Sequence, residues 1–197
     1  MPSACARLRV IFNPVAGRRR RRRLDLVSRA LAARGVAVTI AETDRPGHAE
    51  ALAHEAATAG ERLIVAAGGD GTIAEVANGL AGSGAALGVI PLGTANVIAH
   101  DWGLPFAPEA IAAALVAGRT RPLHPLLARF GDGNTRLVLQ MLGVGLDLGG
   151  GRSPGREAEA AVRQRGLCAR GRAPDFRLAL PAPSAPASTA KRRRSPK

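Results

Sequence analysis

The stretch "LIVAAGGDGTIAEVANGL", from Leu63 to Leu80, decides the fold of this chain. Its first five residues are apolar and have the composition of a buried strand, whereas its second half carries apolar residues at helical spacing. Between them, three glycines surround a single aspartate, Asp70. Because glycine has no Cβ, such a backbone can approach a polyphosphate closely, and the N–H groups at the start of a helix point toward it. The stretch predicts a phosphate-binding loop that joins a strand to a helix.

The loop is not one of the common phosphate-binding motifs. It contains neither G-x-x-x-x-G-K-[ST] nor G-x-G-x-x-G, and the first lysine of the chain is Lys191. Taken alone, the loop is equally compatible with a glycine-rich turn that carries a solvated aspartate. An aspartate among phosphate-binding amides has a use where it handles a metal, a water molecule or a hydroxyl proton, which makes Asp70 a candidate catalytic residue.

Strand and helix signals alternate on both sides of this stretch. Strands that alternate with helices of this length indicate βαβ units and a parallel sheet, hence an α/β fold. The predicted strands are Arg7–Phe12, Val36–Ile40, Arg62–Ala67 and Ala86–Leu92, and the predicted helices are Leu24–Gly35, Gly47–Gly60, Thr72–Leu80 and Ala107–Gly118.

The pattern changes after residue 122. Pro125–Leu142 has the pattern of two strands joined by a "GDGN" turn, which predicts a hairpin at the start of a β-rich domain. Beyond Asp147 the periodicity fails, and we expect disorder there, because so little apolar surface cannot offset the entropy of ordering. The predicted organisation is an α/β domain over residues 1–122, the beginning of a truncated β-rich domain over 123–147 and a disordered basic tail over 148–197.

The formal net charge of +13 is concentrated in two places. Residues 1–147 carry 16 basic and 12 acidic residues, whereas residues 148–197 carry 12 basic and 3 acidic ones. Without the run Arg18–Arg23, the first part would be net acidic. This run is either a patch for an anionic membrane or for ATP phosphates, or a solvated helix start. A basic nucleic-acid-binding protein is a weaker expectation, because no aromatic residues are interleaved with the charge.

The sequence shows no targeting or metal signal. No apolar run reaches the roughly 20 residues that span a bilayer. The N-terminal segment carries arginine where a signal peptide needs its apolar part. We therefore expect a cytoplasmic protein. The two cysteines and four histidines lack metal-ligand spacing, so the residues predict no metal site.

Two more polar, glycine-bearing loops follow predicted strands. They lie in "IFNPVAG" (Ile11–Gly17) and "VIPLGTANVIAHDWGLP" (Val89–Pro105). The carboxyl ends of parallel strands share one edge of a sheet, and ligands bind at that edge. The three loops are therefore expected to converge on one site.

Together, "NPVAG", "GGDGT" with "EVANGL", and "PLGTAN" with "GLP" resemble the catalytic domain of the diacylglycerol kinase family, and most closely its bacterial lipid kinase branch, which is related to sphingosine kinases. The resemblance covers about Arg7 to Asp147. NAD kinases and phosphofructokinases share a loop similar to GGDGT. An NAD kinase-like enzyme is disfavoured by "PLGTAN" and by "EVANGL".

The resemblance implies an ATP-dependent lipid kinase with Mg²⁺ as cofactor, which transfers the ATP γ-phosphate to a lipid hydroxyl. It implies that residues 1–122 form a phosphofructokinase-like, nucleotide-binding catalytic domain. Gly69 through Glu75 would cradle the ATP phosphates, and Asp70 would support Mg²⁺–ATP or act on the acceptor hydroxyl. The implied nucleotide-binding residues are Asn13, Thr43, Gly68, Gly69, Asp70, Gly71, Thr72, Ile73, Ala74, Glu75, Gly93, Thr94 and Asn96, and the metal ligands are unknown. The expected partner is a lipid substrate, with peripheral contact to an anionic membrane at its inner face and no nucleic acid.

The sequence departs from the family pattern in three respects. Ala16 stands where many members carry Ser, and Val97 where many carry Asp. The third is length: "LQMLGVGLD" (Leu139–Asp147) resembles the opening of the family's lipid-binding β-rich domain, and the expected strands do not follow. We therefore expect the native reading frame to be lost shortly after Asp147. The alternative for this segment is a natural disordered tail, and the alternative to the lipid kinase function is a truncated nucleotide-binding remnant without catalysis.

Overall fold

The computed structural model describes residues 6–16, 18–130, 133–140, 168–169 and 176–179. Its strands are β1 (Ala6–Phe12), β2 (Val36–Glu42), β3 (Leu63–Gly68), β4 (Ala86–Pro91), β5 (Thr120–Leu123), β6 (Leu126–Arg129), β7 (Thr135–Val138), β8 (Cys168–Ala169) and β9 (Phe176–Ala179). Its helices are α1 (Arg18–Ala32), α2 (His48–Thr58), α3 (Asp70–Gly79), α4 (Val97–Asp101) and α5 (Pro108–Ala117), and a 3₁₀ turn covers Pro14–Ala16.

Six strands form the main sheet, in the order β2-β1-β3-β4-β9-β5. Strands β2, β1, β3, β4 and β9 run parallel to one another, and β5 pairs antiparallel with β9 at one edge. The other edge is β2. Each of the first four strands is followed by at least one helix before the next strand begins, because parallel strands need a crossover connection. The prediction of an α/β fold with a parallel sheet is confirmed.

Helices cover both faces of this sheet. On one face Ile11 and Ile64 are fully buried with apolar residues of α2 and α3. On the other face Val10 and Val65 are fully buried with apolar residues of α1 and α5. Parallel sheets are buried on both sides, which explains why β3 and β4 are apolar over their whole length. The core consists largely of Ala, Val, Leu and Ile.

Helix α1 begins at Arg18, six residues before the helix predicted from Leu24. The arginine run is thus the first turn and a half of a helix. Its interior face is apolar only from Leu24 onward, and that is where the periodicity becomes visible in the sequence. Among the described residues, no helix is both long and apolar enough to cross a bilayer.

A second sheet, in the order β7-β6-β8, lies against α3. Strands β6 and β7 pair antiparallel from Leu126–Val138 to Arg129–Thr135, as expected for the predicted hairpin. The amide of Asn78 binds this sheet at two points: its Nδ2 donates to the Leu137 carbonyl (3.1 Å), and its Oδ1 accepts from the Leu137 N–H (2.8 Å). Asn78 thereby pairs with β7 as another strand's backbone would.

Part of the expected disordered tail is a strand. Strand β9 lies between β4 and β5, with Leu178 fully buried in the core. The sequence "FRLA" places Leu178 and Ala179 where they contact the two apolar faces of the sheet, so these four residues are ordered by partners far away in the chain. Apart from β8 and β9, the predicted tail lies outside the described residues, and its prediction stays a prediction.

Candidate functional site

Three backbone hydrogen bonds join four strand-to-loop junctions at the carboxyl ends of the parallel strands. The Leu92 N–H donates to the Gly68 carbonyl (2.8 Å), and the Asn13 N–H donates to the Ala67 carbonyl (3.1 Å). The Thr43 N–H donates to the Phe12 carbonyl (2.9 Å). The loops that follow β1, β2, β3 and β4 are therefore placed side by side, as the strand pattern predicts.

Two of the loop glycines allow the loops after β3 and β4 to touch. A Cβ on Gly93 would lie 2.7 Å from the Cα of Gly69, and a Cβ on Gly69 would lie 3.3 Å from the Cα of Gly93. A Cβ on Gly68 would lie 2.6 Å from the Cβ of Thr72. These glycines permit close packing within the protein. This is a different reason for glycine from the predicted approach of a polyphosphate.

Gly71 has a different environment. A Cβ at this position would meet no atom of the described residues within 4 Å, and the residue is exposed. It lies in the first turn of α3, whose first intrahelical hydrogen bond runs from the Ile73 N–H to the Gly69 carbonyl (3.1 Å). The N–H groups of Gly71 and Thr72 precede that bond and have no partner within the helix. Together with the helix dipole they make this terminus suited to an anion.

A cleft of about 440 Å³ opens at this helix start. Six of the predicted site residues line it, namely Asn13, Thr43, Gly69, Gly71, Thr72 and Glu75. Thr43 and Thr72 are more than nine-tenths buried. The Asn13 Nδ2 donates to the Thr72 Oγ1 (3.3 Å), and its Oδ1 accepts from the Val15 N–H (3.0 Å). A larger groove of about 930 Å³ lies at the opposite edge of the sheet and includes none of these residues.

Asp70 links the loop after β3 to helix α4. Its Oδ1 accepts from the Ile98 N–H (2.9 Å), and its Oδ2 accepts from the Val97 N–H (3.1 Å). Both amides belong to the first turn of α4, so the carboxylate caps that helix and faces its positive end. The structure thus gives Asp70 a positioning task, and its predicted catalytic role stays a prediction.

Glu75 caps a helix too. Its Oε2 accepts from the Ala49 N–H (3.2 Å) in the first turn of α2. The N-cap residue of that helix is Gly47, which has no side chain to supply the bond. The carboxylate from α3 satisfies one of the N–H groups that the helix start leaves unpaired. Glu75 therefore lies at the cleft and fixes α2 beside it.

The remaining predicted residues surround the cleft at a greater distance. Gly68 is buried at the end of β3, Ile73 is in the core, and Ala74 is half-buried. Thr94 is exposed in the loop after β4 and does not line the cleft. Of the thirteen predicted residues, the structure thus brings six to the cleft.

Asn96 completes that loop. It has left-handed backbone angles (φ 49°) and is more than nine-tenths buried. Its Nδ2 donates to the Gly93 carbonyl (2.8 Å), and its Oδ1 is buried without a hydrogen-bond partner in the described part of the chain.

Two arginines that are not among the predicted site residues also line the cleft, Arg20 and Arg45. Arg20 belongs to the arginine run, two other members of which are engaged elsewhere. Arg21 pairs with Glu42 and lies 5.5 Å from the Phe12 ring centroid, and the Arg23 Nη2 donates to the Phe106 carbonyl (2.7 Å). In the sequence, the arginine run indicates a basic segment beside the predicted site. Which of its members lies at the cleft depends on the phase of α1, and that member is Arg20.

The carboxylates near the cleft do not form a metal site. Asp70 and Glu75 accept backbone amides, and Asp44 is paired with Arg45 (2.9 Å) and His48 (2.6 Å). Within the described ranges there is no group of three His, Cys, Asp or Glu side chains that could hold an ion. These residues therefore do not fit a resident metal.

An anion-ready helix start at the carboxyl edge of a parallel sheet is typical of phosphate- and nucleotide-binding α/β proteins. Sequence comparison gives the particular family. The pattern of the diacylglycerol kinase catalytic domain matches residues 7–128. The chain belongs to this family.

Individual relatives agree with this assignment. A protein of Pseudomonas aeruginosa named "Probable lipid kinase YegS-like" is 43% identical over 112 residues, which cover 56% of this chain and 34% of that protein. The diacylglycerol kinase of Bacillus subtilis is 40% identical over 121 residues, which cover 59% of this chain and 40% of that protein. The chain thus spans well under half of the length of these relatives.

Solved structures show the same relationship. A crystal structure of a diacylglycerol kinase from Bacillus anthracis strain Sterne superposes with a TM-score of 0.52 at 27% sequence identity. The match covers 66% of this chain and 47% of that one.

Proposed function

We propose that this chain binds ATP in the cleft and serves as the nucleotide-binding part of a lipid kinase, which transfers the ATP γ-phosphate to a lipid hydroxyl. The observation that supports this most directly is the start of α3, where Gly71 and Thr72, whose amides have no partner within the helix, line the cleft together with Arg20. Family membership supports it too, since the matched relatives are named as lipid and diacylglycerol kinases.

Phosphoryl transfer requires mainly positioning and charge stabilisation, and the cleft offers both. The amides at the start of α3 would hold the phosphates, and Arg20 would neutralise part of their charge. Asn13 and Thr43 would orient the nucleotide from the neighbouring loops. Asp70 would fix the Gly93–Asn96 loop against the phosphate loop through its two bonds to α4. We further propose that the Asp70 carboxylate acts on the acceptor hydroxyl.

Mg²⁺ enters the proposal only as part of the Mg²⁺–ATP substrate. Mg²⁺ in kinases is commonly bound by substrate phosphates and water with few protein ligands. The described carboxylates at the cleft are already engaged, so we derive no step that uses a protein-bound metal.

The lipid would be reached by peripheral contact with the inner face of an anionic membrane. Arg19 and Arg22 are exposed on α1 next to the cleft, and basic side chains near anionic lipid contribute about 1 kcal/mol each. Such attraction is screened by salt. Co-sedimentation with anionic vesicles is therefore expected at low ionic strength and lost at high ionic strength.

The nucleotide site can be tested at Gly71, where a side chain has room. Gly71→Asp would put a carboxylate among the phosphate-binding amides, and an acidic residue in a first turn does not harm the helix. Gly71→Ala is the matched control, because it adds a Cβ and no charge. We expect calorimetry to show ATP affinity reduced at least about tenfold in Gly71→Asp relative to Gly71→Ala, which is about 1.4 kcal/mol or more. Equal affinities would overturn the assignment.

The kinase activity needs a separate measurement. Incorporation of labelled γ-phosphate into diacylglycerol-containing vesicles should occur with the parent chain and be lost in Gly71→Asp. A chain that binds ATP and phosphorylates no lipid would overturn the kinase part and leave the nucleotide site in place.

A further inference from the structure

The geometry of the large groove at the amino edge of the main sheet points to a second ligand site, one that binds an anionic amphiphile: a hydrocarbon chain with a phosphate or carboxylate headgroup. The groove lies at the end of the sheet opposite the ATP cleft and includes none of the residues of that cleft. The inference therefore stands independently of the proposed function.

The groove has the size of a small-molecule site. Its volume is about 930 Å³, within the range of about 300–1,000 Å³ that ligand pockets occupy. Its walls come from the beginning of β1, the turn between α1 and β2, the segment before β3, and the end of α5. These elements meet where the strands begin.

One wall of the groove is apolar. It is made by the ends of α1 and α5 where they face the start of β1, with Leu31, Leu115 and Leu8 as its buried base. Val116, in the last turn of α5, is 45% exposed and forms its outer rim. Burying such surface under a hydrocarbon chain is favourable at roughly 25 cal/mol per Å².

The groove also has a basic part. Arg7, Arg34 and Arg62 line it and are exposed. Within the described ranges none of the three forms an ion pair with an acidic side chain, and the ion pair at the groove joins Arg9 and Glu61. Arginine forks bind phosphate and carboxylate groups with paired hydrogen bonds.

The one acidic side chain of the groove does not oppose an anion. Glu61 accepts from both the Nε (2.9 Å) and the Nη2 (2.6 Å) of Arg9. This hydrogen bonding raises the pKa of Arg9 above its ordinary value. The Glu61 carboxylate thus has its own cationic partner in the groove. The remaining charge of the lining residues is that of three arginines.

This juxtaposition fits an amphiphile better than a nucleotide or a nucleic acid. None of the residues that line the groove is aromatic, so a base would find no stacking surface. A hydrocarbon chain can lie along the exposed Val116 while its anionic headgroup reaches Arg34 and Arg62, which line the same groove.

The test uses the full chain and dodecyl phosphate below its critical micelle concentration, with binding measured by calorimetry. Inorganic phosphate supplies the headgroup without the chain, and dodecyl maltoside supplies the chain without the charge. The double variant Arg34→Ala/Arg62→Ala removes two arginines of the basic part, and Val116→Glu places a carboxylate on the apolar rim. Arg29→Ala is the control, because Arg29 is exposed on α1 and does not line the groove.

We expect dodecyl phosphate to bind more tightly than either comparator. Its affinity should fall at least about tenfold in the double variant and in Val116→Glu, with no change in Arg29→Ala. Circular dichroism melts identify any variant that has lost its fold. Equal binding of dodecyl maltoside or of inorganic phosphate, an unaffected double variant, or binding only to anionic vesicles and not to monomeric dodecyl phosphate would each overturn the inference.

Discussion

Asp70 joins two loops of the cleft through one carboxylate. Both of its oxygens accept backbone amides of α4, a helix of five residues. A helix this short has little stability of its own, since nucleation is costly and few hydrogen bonds follow. The position of the loop that precedes it, which includes Gly93, therefore depends on Asp70.

Asp70→Asn tests this dependence. An amide has one oxygen, so one of the two α4 amides would face the Nδ2 donor and lose its hydrogen bond, and a typical hydrogen bond contributes about 0.5–1.5 kcal/mol. We expect the free energy of unfolding from urea titration to fall by that amount, and ATP affinity to fall with it. The exposed Asp101→Asn is the control. If Asp70→Asn lost only kinase activity and kept full stability, the positioning role would be wrong and a purely chemical role favoured.

Arg20 is the second residue whose task can be measured. It is half-buried in the cleft, whereas Arg22, two residues further along the same helix, is exposed. Because charge-assisted hydrogen bonds to phosphate are typically worth about 1.5–3 kcal/mol, Arg20→Ala should weaken ATP binding roughly tenfold or more. Arg22→Ala should leave it nearly unchanged. Equal effects of the two substitutions in a calorimetric titration would show that the run acts only as diffuse charge.

At the scale of elements, α3 is the helix on which the site depends. Its first turn faces the cleft, Asp70 caps α4, Glu75 caps α2 and Asn78 binds β7. The last residue of the helix, Gly79, lies against α2, where a Cβ would overlap the Glu50 carbonyl oxygen and lie 2.8 Å from the Cβ of Ala53. This helix therefore fixes the positions of α2 and α4 beside the cleft.

Gly79→Ala and Gly71→Ala form a matched pair within α3. Alanine favours a helix over glycine by about 1 kcal/mol, and at Gly71 nothing opposes that gain. At Gly79 the added methyl group separates α3 from α2, and overpacking costs about 1–3 kcal/mol. Thermal unfolding should show Gly71→Ala as stable as the parent or more so, and Gly79→Ala less stable. Equal melting temperatures would mean that the contact between the two helices adapts without cost.

The elements that the sequence predicts are those with local causes. β1 to β4 and the helices between them are visible as runs and periods because each buries its own apolar face. The start of α1 and the whole of α4 are not visible. The arginine run has no apolar period, and α4 is held by a carboxylate 27 residues away. β9 is likewise ordered by strands distant in sequence, which no local pattern records.

The candidate site, like the fold, could be predicted from the sequence only in part. Polar loops after parallel strands predict the edge and the motif residues, and the structure brings Asn13, Thr43 and Thr72 together there. The sequence does not show which of these side chains form hydrogen bonds or ion pairs within the protein. Helix phase and packing determine that Glu75 caps α2. They also determine that Arg20 faces the cleft and Arg21 does not.

At the scale of the whole molecule, Asn78 connects the two sheets. Replacing it with alanine removes both hydrogen bonds to Leu137 and leaves the ion pair of Arg136 with Glu50 as a polar link between α2 and β7. We expect hydrogen exchange at the Leu137 amide to accelerate markedly, with the amides of β3 unchanged, since the main sheet does not use this contact. Unchanged protection at Leu137 would show that apolar packing alone positions the second sheet.

The outer position of β2 has a consequence for how this protein behaves in concentrated solution. In the described part of the chain this seven-residue strand pairs only with β1, and in "VAVTIAE" the first charge comes at Glu42. Natural sheets usually blunt such a border with lysine, proline or a bulge, because an uncharged border invites the border of another copy. Ala37 is exposed on this strand, so Ala37→Lys should reduce concentration-dependent light scattering without altering ATP binding. We therefore expect self-association through this border to limit the concentration at which the protein stays dispersed.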